Sequence, residues 1–397
     1  MEPLHIVIIG GGTGGTILAN ILARKLNSKI SKKKILITLI TDNPTHYYKP
    51  AFMYVAFNLF FKDELSRPQC SLLRPEINLV IDKACSFDFK NKKILSESNK
   101  IYNYDYLVFA TGCVPRPDKI EGLQDTGDHF YSYQAARKLA DKISKIEKGR
   151  IFITVSFPKT PNVPHQCGIA PIETTLMLDE FLRKRRVRDK IEIIYTYPTT
   201  SQLLRNCLFM QQPVCEVIPE IFKLKNIQFQ RGFTLDKVDP DKKIAFSSEG
   251  KQQSFDILIS TPPITAVEAV INTNLSEYKN GEGWLPTDHE TLQVYGLDNV
   301  YVLGDTVDLP ISKAGGSCHN QAGVVADNIY GQIVYGYPSA IYDGRVQAIA
   351  QMGLNAGMPL QYDYKHDVIP TPATKLGGMF RNGFNRGLYW ATVRGLM

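Results

Sequence analysis

The stretch LHIVIIGGGTGG, residues 4–15, decides the fold. Its first six residues form a continuous apolar run, which is typical of a strand buried on both faces of a parallel sheet. Gly10, Gly12 and Gly15 then follow with the spacing GxGxxG, and residues 16–24 have the pattern of a helix. A second apolar run at 35–40 completes a βαβ unit, whose tight glycine turn brings a helix N-terminus to a pyrophosphate. The chain therefore begins with a predicted dinucleotide-binding domain.

The residue that contacts the ribose of a dinucleotide usually follows the second strand of such a unit. Thr41 occupies the usual acidic position here, and Asp42 comes one residue later. Because a carboxylate accepts hydrogen bonds from ribose hydroxyls, Asp42 is the candidate ribose ligand.

Two more apolar runs end in small or acidic residues. The run 104–109 is followed by Ala110, Thr111 and Gly112, and the run 299–303 is followed by Gly304 and Asp305. Ligands of open parallel sheets bind at the carboxyl ends of the strands. Both strand ends follow the glycine turn in chain order, and each closes an apolar run.

The composition describes a folded protein of more than one ordinary domain. The chain has 397 residues, of which 44% are hydrophobic and 21% charged, and its net charge is +7. This charge is spread over short runs that fit an anionic membrane surface, and no nucleic-acid-reading motif is present. Seven scattered cysteines do not describe a disulfide framework, and no metal site is predicted.

Hydropathy and the N-terminus indicate a location. No apolar run reaches the roughly 18–20 residues that a transmembrane helix needs. The N-terminus enters a strand directly, without a charged leader and cleavage site. These features predict a protein on the cytoplasmic side of the cell membrane, bound peripherally.

The middle of the chain predicts a second Rossmann-like domain at 113–265, inserted into a discontinuous first domain at 1–112 and 266–340. The fold class is therefore α/β with two such domains. We expect strands at 151–155 and 191–195 with a helix at 172–186 between them, and further strands near 223–229, 242–246 and 255–261.

The loop after the predicted strand 151–155 carries a cysteine where a glycine motif would stand. Cys167 is followed by Pro171, a favourable first helical residue, and by Glu173. A helix N-terminus stabilises the nucleophilic thiolate, and a carboxylate nearby can move protons. The alternative is a buried cysteine ahead of a capped helix. Without the glycines, no phosphate seat for a nicotinamide dinucleotide is predicted.

The C-terminal region 341–397 predicts membrane association. Phe380, Phe384 and Leu388 recur at i, i+4 and i+8, opposite an arginine-rich face, and Tyr389 with Trp390 suits the headgroup boundary. The alternative is a helix docked on the core or on a second subunit, and four glycines weaken the helix prediction.

These motifs resemble those of known flavoproteins. The three strand ends are similar to the FAD-binding set of the two-dinucleotide-binding-domain flavoprotein superfamily. Cys-x-x-x-Pro-x-Glu at 167–173 and Lys313-Ala314-Gly315 resemble segments of the sulfide:quinone oxidoreductase family, with Ala314 in place of that family's threonine. The resemblance covers nearly the whole chain.

The resemblance implies non-covalent FAD, with Asp305 on the ribityl chain, and oxidation of sulfide to polysulfide or sulfur. Electrons would pass through FAD to a membrane quinone. It implies sulfur held between two cysteines, of which Cys167 matches one. The family's second position falls near Thr306, so Cys318 is the nearest candidate, and Cys113 is a third. Glu173 would be the general base, and Lys313 would stabilise reduced flavin or orient quinone.

Two other functions stay open. A type II NADH:quinone oxidoreductase is disfavoured by the missing second glycine motif. The second alternative is a flavin-holding, non-catalytic subunit of a membrane complex that has lost the catalytic cysteine pair. Thr306, near the position where the resemblance places the second cysteine, favours this alternative. A homo-oligomer is compatible with any of these functions.

Overall fold

The computed structural model describes residues 2–156, 167–198, 212–273, 283–311 and 313–396. Its first part runs from the glycine turn to the strand before Ala110. The elements of this part are β1 (Leu4–Ile9), α1 (Thr13–Lys25), α2 (Asn27–Ser31), β2 (Ile35–Thr41), β3 (Thr45–Tyr47), α3 (Phe52–Val55), α4 (Lys62–Leu65), β4 (Ser66–Pro68), β5 (Asn78–Ile81), β6 (Ala84–Asp88), β7 (Lys93–Ser96), β8 (Ile101–Asn103) and β9 (Tyr106–Phe109).

The middle part continues with β10 (Cys113–Pro115), α5 (Leu123–Thr126), α6 (Tyr133–Lys145), β11 (Gly149–Val155), α7 (Ile169–Lys184), β12 (Ile191–Tyr197), α8 (Gln212–Leu224), β13 (Gln228–Arg231), β14 (Leu235–Asp239), β15 (Ile244–Ser247), β16 (Gln252–Ser254), β17 (Ile257–Thr261) and β18 (Ile264–Ala266).

The last part contains α9 (Glu268–Ile271), β19 (Leu285–Pro286), β20 (Gln293–Val294), β21 (Leu297–Val302), β22 (Val307–Asp308), α10 (Gly315–Tyr335), β23 (Val346–Gln351), β24 (Gly357–Tyr362), α11 (Lys375–Gly383) and α12 (Tyr389–Val393). A π-helical turn over Phe384–Leu388 joins α11 to α12.

The first sheet has the strand order β20-β21-β9-β1-β2-β5, and all its strands are parallel except β20. Strand β1 lies in the centre and pairs Ile6 with Ile37 and Ile9 with Phe109. Its apolar run is buried because helices cover the sheet, with α1 against α10 on one face.

The second sheet has the order β13-β12-β11-β17 and is parallel throughout. Strand β11 is central and is followed by α7, as the first sheet's β1 is followed by α1. The predicted fold class, α/β with two Rossmann-like units, is confirmed by this pair of parallel sheets.

Short antiparallel pieces complete the architecture. The three-stranded meanders β6-β7-β8 and β14-β15-β16 belong to the first and middle parts of the chain. Strand β10 pairs with β18 where the chain passes between the two parallel sheets, and β23 forms a hairpin with β24.

Three local predictions were wrong in detail. Helix α1 begins at Thr13, three residues before the expected start. The segment 223–229 is not one strand, because α8 continues to Leu224 and β13 begins only at Gln228. Pro171 is the third residue of α7, which begins at Ile169. Proline is tolerated there because the first-turn amides lack intrahelical acceptors.

No helix within the described ranges is both long and apolar enough to cross a membrane.

Candidate active site

The carboxyl ends of β1, β9 and β21 meet at one edge of the first sheet, as the resemblance implies. Thr306 ties two of these ends together, since its Oγ1 lies 3.0 Å from Thr111 Oγ1 and accepts a hydrogen bond from the Gly112 amide at 2.9 Å. The Leu303 amide donates to the Phe109 carbonyl at 2.9 Å. Thr306 therefore has a structural contact at the position where the resemblance placed a cysteine.

The glycine turn is tight on one side and open on the other. A Cβ at Gly15 would clash with the Gly10 carbonyl, and a Cβ at Gly10, where φ is +109°, would clash with the Ala110 carbonyl. A Cβ at Gly12 or at Gly112 would meet nothing within 4 Å. The turn is thus packed against its own sheet while its outer surface leaves room for a ligand.

Two long helices point uncapped N-termini toward this edge. Neither Gly12, which precedes α1, nor Ala314, which precedes α10, supplies a side-chain cap. The first amides of a helix need acceptors and favour negative charge. Asp42 is exposed directly after β2. The open turn, the two helix ends and this carboxylate fit a dinucleotide such as FAD.

Asp305 is half-buried at the end of β21, beside a cysteine. Its Oδ2 accepts a hydrogen bond from Cys113 Sγ at 3.4 Å. Burial, together with the negative charge of Asp305, raises the pKa of the Cys113 thiol well above its ordinary value. Cys113 therefore stays protonated at neutral pH.

Lys313 is buried and braces the same turn. Its Nζ donates to the Asp305 and Val307 carbonyls, at 2.5 Å and 2.7 Å, and lies 3.7 Å from the Trp284 ring centroid. Burial lowers the pKa of Lys313 to about 8. The ammonium group is committed to the backbone and to an aromatic face.

Cys318 lies in the first turn of α10 and is almost fully buried. Its Sγ donates to the Gly315 carbonyl at 3.0 Å. Its Cβ lies 3.3 Å from the position that a Cβ would take at Gly14, and 3.8 Å from the corresponding position at Gly304. Cys318 is thus wedged between α10, α1 and the end of β21.

Cys167 is half-buried two residues before α7, so the predicted place at a helix start is confirmed. Glu173, six residues later, is buried on that helix. Its Oε1 accepts a hydrogen bond from the Gln351 amide at 2.6 Å and lies 4.0 Å from Arg381 Nη2. Burial raises the pKa of Glu173 above the ordinary carboxyl value. These contacts connect α7 to β23 and α11.

Arg381 corrects the prediction of an arginine-rich outer face. It is largely buried and its Nε donates to the Tyr54 hydroxyl at 3.2 Å. The Tyr54 hydroxyl in turn donates to Gln351 Oε1 at 3.0 Å. Arg386 is exposed and pairs with Glu64. Arg381 therefore faces the protein, where its guanidinium lies 4.0 Å from the buried Glu173 carboxylate.

The interpretation of Tyr389 and Trp390 as headgroup residues was wrong, since both side chains are buried. The Tyr389 hydroxyl lies 2.6 Å from His46 Nε2 and 2.8 Å from Thr13 Oγ1. The other ring nitrogen of His46 lies 2.9 Å from the Gly11 carbonyl. The end of the chain thus supports the glycine turn.

Sequence reasoning missed His46 as a site residue. Burial lowers its pKa to about 4, so the ring is neutral and can donate to Gly11 while accepting from Tyr389. Its place in the aromatic segment after β2 is a weak signal, and its partner Tyr389 is 343 residues away.

Across the part of the chain that the structure covers, no group of three or more His, Cys, Asp or Glu side chains could hold a metal ion. Cys207 and His165 lie outside the described residues.

Comparison with known proteins agrees with this geometry. Residues 4–154 match the family model "Pyridine nucleotide-disulphide oxidoreductase". The mitochondrial sulfide:quinone oxidoreductase of Dictyostelium discoideum is 27% identical over 332 residues, which cover 82% of this chain and 70% of the relative. The chain is similar to sulfide:quinone oxidoreductases over most of its length. These relatives are oxidoreductases, and the family model that matches the first part of the chain also describes an oxidoreductase family.

Two solved structures share the fold over nearly the whole chain. The sulfide:quinone oxidoreductase of Aquifex aeolicus has a TM-score of 0.85 and 23% identity, covering 99% of this chain and 92% of that one. A chain in the mitochondrial ATP synthase of Tetrahymena thermophila has a TM-score of 0.79 and 17% identity, covering 100% and 97%.

Proposed function

We propose that this protein oxidises sulfide to polysulfide or sulfur and delivers the electrons through FAD to a membrane quinone. One observation carries the proposal. Where the first parallel sheet has a glycine turn, the second has Cys167 at the start of α7. The chain resembles sulfide:quinone oxidoreductases and has a thiol where a second phosphate-binding loop would stand. It is therefore suited to a sulfur donor and not to a nicotinamide dinucleotide.

The chain's residues would divide the work. Bound FAD supplies the two-electron acceptor between sulfide and quinone. Gly10, Gly12 and Gly15 would hold its pyrophosphate at the start of α1, Asp42 its ribose, and Asp305 its ribityl chain. The strand end at Ala110, Thr111 and Gly112 would form the neighbouring wall, together with Gly304. Each of these residues lies at the same edge of the first sheet.

Proton and sulfur handling would fall to the second sheet. Cys167, in front of the α7 N-terminus, would bind sulfide sulfur, because that helix end stabilises a thiolate. Glu173 would accept and release the proton, since its raised pKa brings it closer to neutral pH. Lys313 would keep the Asp305 turn in place while supplying a positive charge beside it.

An anaerobic titration tests the donor. Sulfide added to the purified protein should bleach the flavin absorbance rapidly, whereas NADH should not. Cys167→Ser should keep the flavin spectrum and lose bleaching by sulfide, because serine cannot form a persulfide. Cys70→Ser, at an exposed site, is the matched control and should behave as the wild type. Rapid bleaching by NADH would instead identify a type II NADH:quinone oxidoreductase.

The proposed membrane contact is the outer face of α11. Leu376, Met379 and Phe380 follow one another at helical spacing, and their exposed fractions are 62%, 69% and 60%. Leu388, 45% exposed, continues this face beyond the π-helical turn. An amphipathic helix that exposes large apolar side chains lies in a membrane interface without crossing it. A quinone in the bilayer would reach the protein from this side.

Vesicle binding tests this face. Phe380→Glu should weaken sedimentation with anionic phospholipid vesicles, because a carboxylate resists burial in the interface. Ile101→Glu on β8 is the control, since Ile101 is 62% exposed but lies on the separate meander β6-β7-β8. Equal binding of both variants would place the membrane contact elsewhere. The cytoplasmic side is part of the proposal, and protease accessibility from that side of intact membranes checks it.

The similarity to a chain of the Tetrahymena ATP synthase favours one second candidate, a flavin-holding subunit of a membrane complex. That similarity covers both chains almost completely, although the identity is only 17%. Under this function the endogenous protein would comigrate with a large membrane assembly in a native gel, and sulfide would leave its flavin oxidised.

A further inference from the structure

The end of α1 and the short helix α2 carry a run of positive charge. Residues 24–34 contain no acidic side chain and six basic ones, namely Arg24, Lys25, Lys29, Lys32, Lys33 and Lys34. All of these are exposed except Lys29, which is half-buried, and α2 buries none of its own residues. Like charges this close along a chain repel one another. A negatively charged partner would remove that cost.

Exposed tyrosines border this basic segment. Lys25 connects the two, because its Nζ pairs with Asp327 on α10 at 2.6 Å and lies 5.8 Å from the Tyr330 ring centroid. The Tyr330 ring centroid is 6.2 Å from that of Tyr335, which is 6.3 Å from that of Tyr337. Tyr335 and Tyr337 are 58% and 61% exposed. The end of α10 therefore places exposed aromatic side chains beside the basic segment.

The end of the chain joins the same surface. The Asn20 side-chain amide donates to the Val393 carbonyl at 2.8 Å, and Arg24 Nη1 donates to the Gly395 carbonyl at 2.6 Å. Leu396 follows directly and is 68% exposed. Helix α12 thus carries the chain from the exposed face of α11 to the basic end of α1.

We propose that this basic–aromatic surface, formed by residues 24–34, Tyr335, Tyr337 and Leu396, is a second membrane contact that binds anionic phospholipids. Lysines near a membrane are attracted to anionic headgroups, and tyrosine rings favour the headgroup boundary. The inference rests on the proposed function for the presence of a membrane. It adds a preference for anionic lipids that the apolar side chains of α11 do not supply.

The residue types favour a lipid surface over an acidic protein. Five of the six basic residues are lysines. Lysine is depleted in protein–protein interfaces, where the planar guanidinium of arginine binds carboxylates with fixed geometry. A lysine ammonium is a mobile point charge, which suits the diffuse negative charge of a lipid headgroup layer.

Vesicle sedimentation at several salt concentrations tests this surface on the full-length, FAD-loaded protein. The wild type should bind vesicles that contain phosphatidylserine more tightly than pure phosphatidylcholine vesicles, and the difference should shrink as salt is added. Lys32→Gln combined with Lys34→Gln should weaken binding to the anionic vesicles about 25-fold, since each lysine near such a surface contributes about fivefold. Binding to phosphatidylcholine should not change.

A matched control removes the same charge elsewhere. Lys90→Gln combined with Lys93→Gln lies around the exposed turn between β6 and β7 and should bind both kinds of vesicle as the wild type does. An equal loss in this control would mean that binding follows net charge alone and would overturn the inference. Unchanged anionic binding of the Lys32 and Lys34 variant would also overturn it.

A wild type without any preference for anionic vesicles would overturn the inference as well, and would leave the surface to an acidic protein. The failure of the proposed function is measured separately. Phe380→Glu should lower binding to phosphatidylcholine and keep the preference for anionic lipid, because it changes the α11 face alone. Sulfide bleaching without lipid does not involve the basic–aromatic surface, so its absence would refute the proposed function and not this inference.

Discussion

The turn from β1 to α1 and the approach to α7 occupy equivalent places in the two parallel sheets, yet they are supported in opposite ways. The first turn is held by neutral contacts, in which His46 and Tyr389 bond to Gly11 and Thr13. The start of α7 is held by a buried charge, since Glu173 faces Arg381.

The C-terminal helices supply one partner to each turn. Tyr389 on α12 reaches the glycine turn, and Arg381 on α11 reaches Glu173. The segment that the sequence predicts to associate with the membrane is therefore a structural support for both halves of the site. The neutral contacts of His46 and Tyr389 add no charge to the site that would hold a phosphate. The positive charge of Arg381, in contrast, shifts the pKa of the neighbouring Glu173.

The strongest test of the comparison is a glycine-to-alanine substitution in each half. Gly15→Ala should destabilise the protein by about 3 kcal/mol or more and abolish FAD retention, because its Cβ meets the Gly10 carbonyl, which cannot rotate away. Gly168→Ala, at φ −71°, should change the thermal midpoint little, since alanine adopts that conformation readily. Equal midpoints and equal flavin content would refute the tight packing of the first turn.

The charged support can be broken with Arg381→Met. We expect a loss of about 3 kcal/mol in unfolding free energy at pH 8, because Glu173 is left as an unpaired buried charge. The loss should be smaller at pH 5 than at pH 8, because burial raises the pKa of Glu173 and the carboxylate takes up a proton more readily at the lower pH. Urea unfolding at both pH values measures this difference. Arg386→Met, at an exposed pair, is the control, and a pH-independent loss would contradict the ion-pair explanation.

The neutral support predicts the opposite pH dependence. The pKa of His46 is about 4 in the folded protein and about 6.5 in the unfolded chain. The unfolded state therefore binds more protons between these values, and stability falls as the pH drops below about 6.5. The His46 contribution lost by pH 5 is about 2 kcal/mol. His46→Gln should flatten that part of the stability profile, whereas exposed His366→Gln should leave it unchanged.

The smallest expected effect is that of Tyr389→Phe. Removal of the hydroxyl leaves His46 Nε2 and Thr13 without a bond that both make in the wild type, at a cost of about 1 kcal/mol. The flavin dissociation constant should rise in Tyr389→Phe. Tyr335→Phe, at an exposed position, is the control and should leave the unfolding midpoint unchanged. Flavin fluorescence during dilution measures the release.

Local pattern explains which of these features the sequence could predict. The glycine turn and the strand ends at Gly112 and Asp305 could be predicted because each follows directly after a short apolar run. In the structure these strand ends lie together at one edge of the first sheet. Asp42 and Cys167 lie where their spacing placed them. The prediction of helix ends was weaker, because frayed first turns carry little signal.

Long-range pairing explains what was missed. Nothing near Arg381 indicates that it turns inward to Glu173, more than 200 residues earlier, and nothing near Tyr389 points to His46. An amphipathic pattern separates apolar from polar side chains, but a buried ion pair puts an arginine on the inner face. The direction of the Arg381 side chain therefore depends on Glu173, which is distant in the sequence.

The bond between Thr13 and Tyr389 spans 376 residues of sequence and therefore has a consequence for biosynthesis. The first βαβ unit leaves the ribosome long before the helix that completes its support has been translated. The nascent chain therefore passes most of the synthesis of residues 1–389 with an incomplete nucleotide site, so that stable cofactor binding requires α12 to have been translated. A stalled or truncated translation product would carry the glycine turn and still retain the flavin poorly.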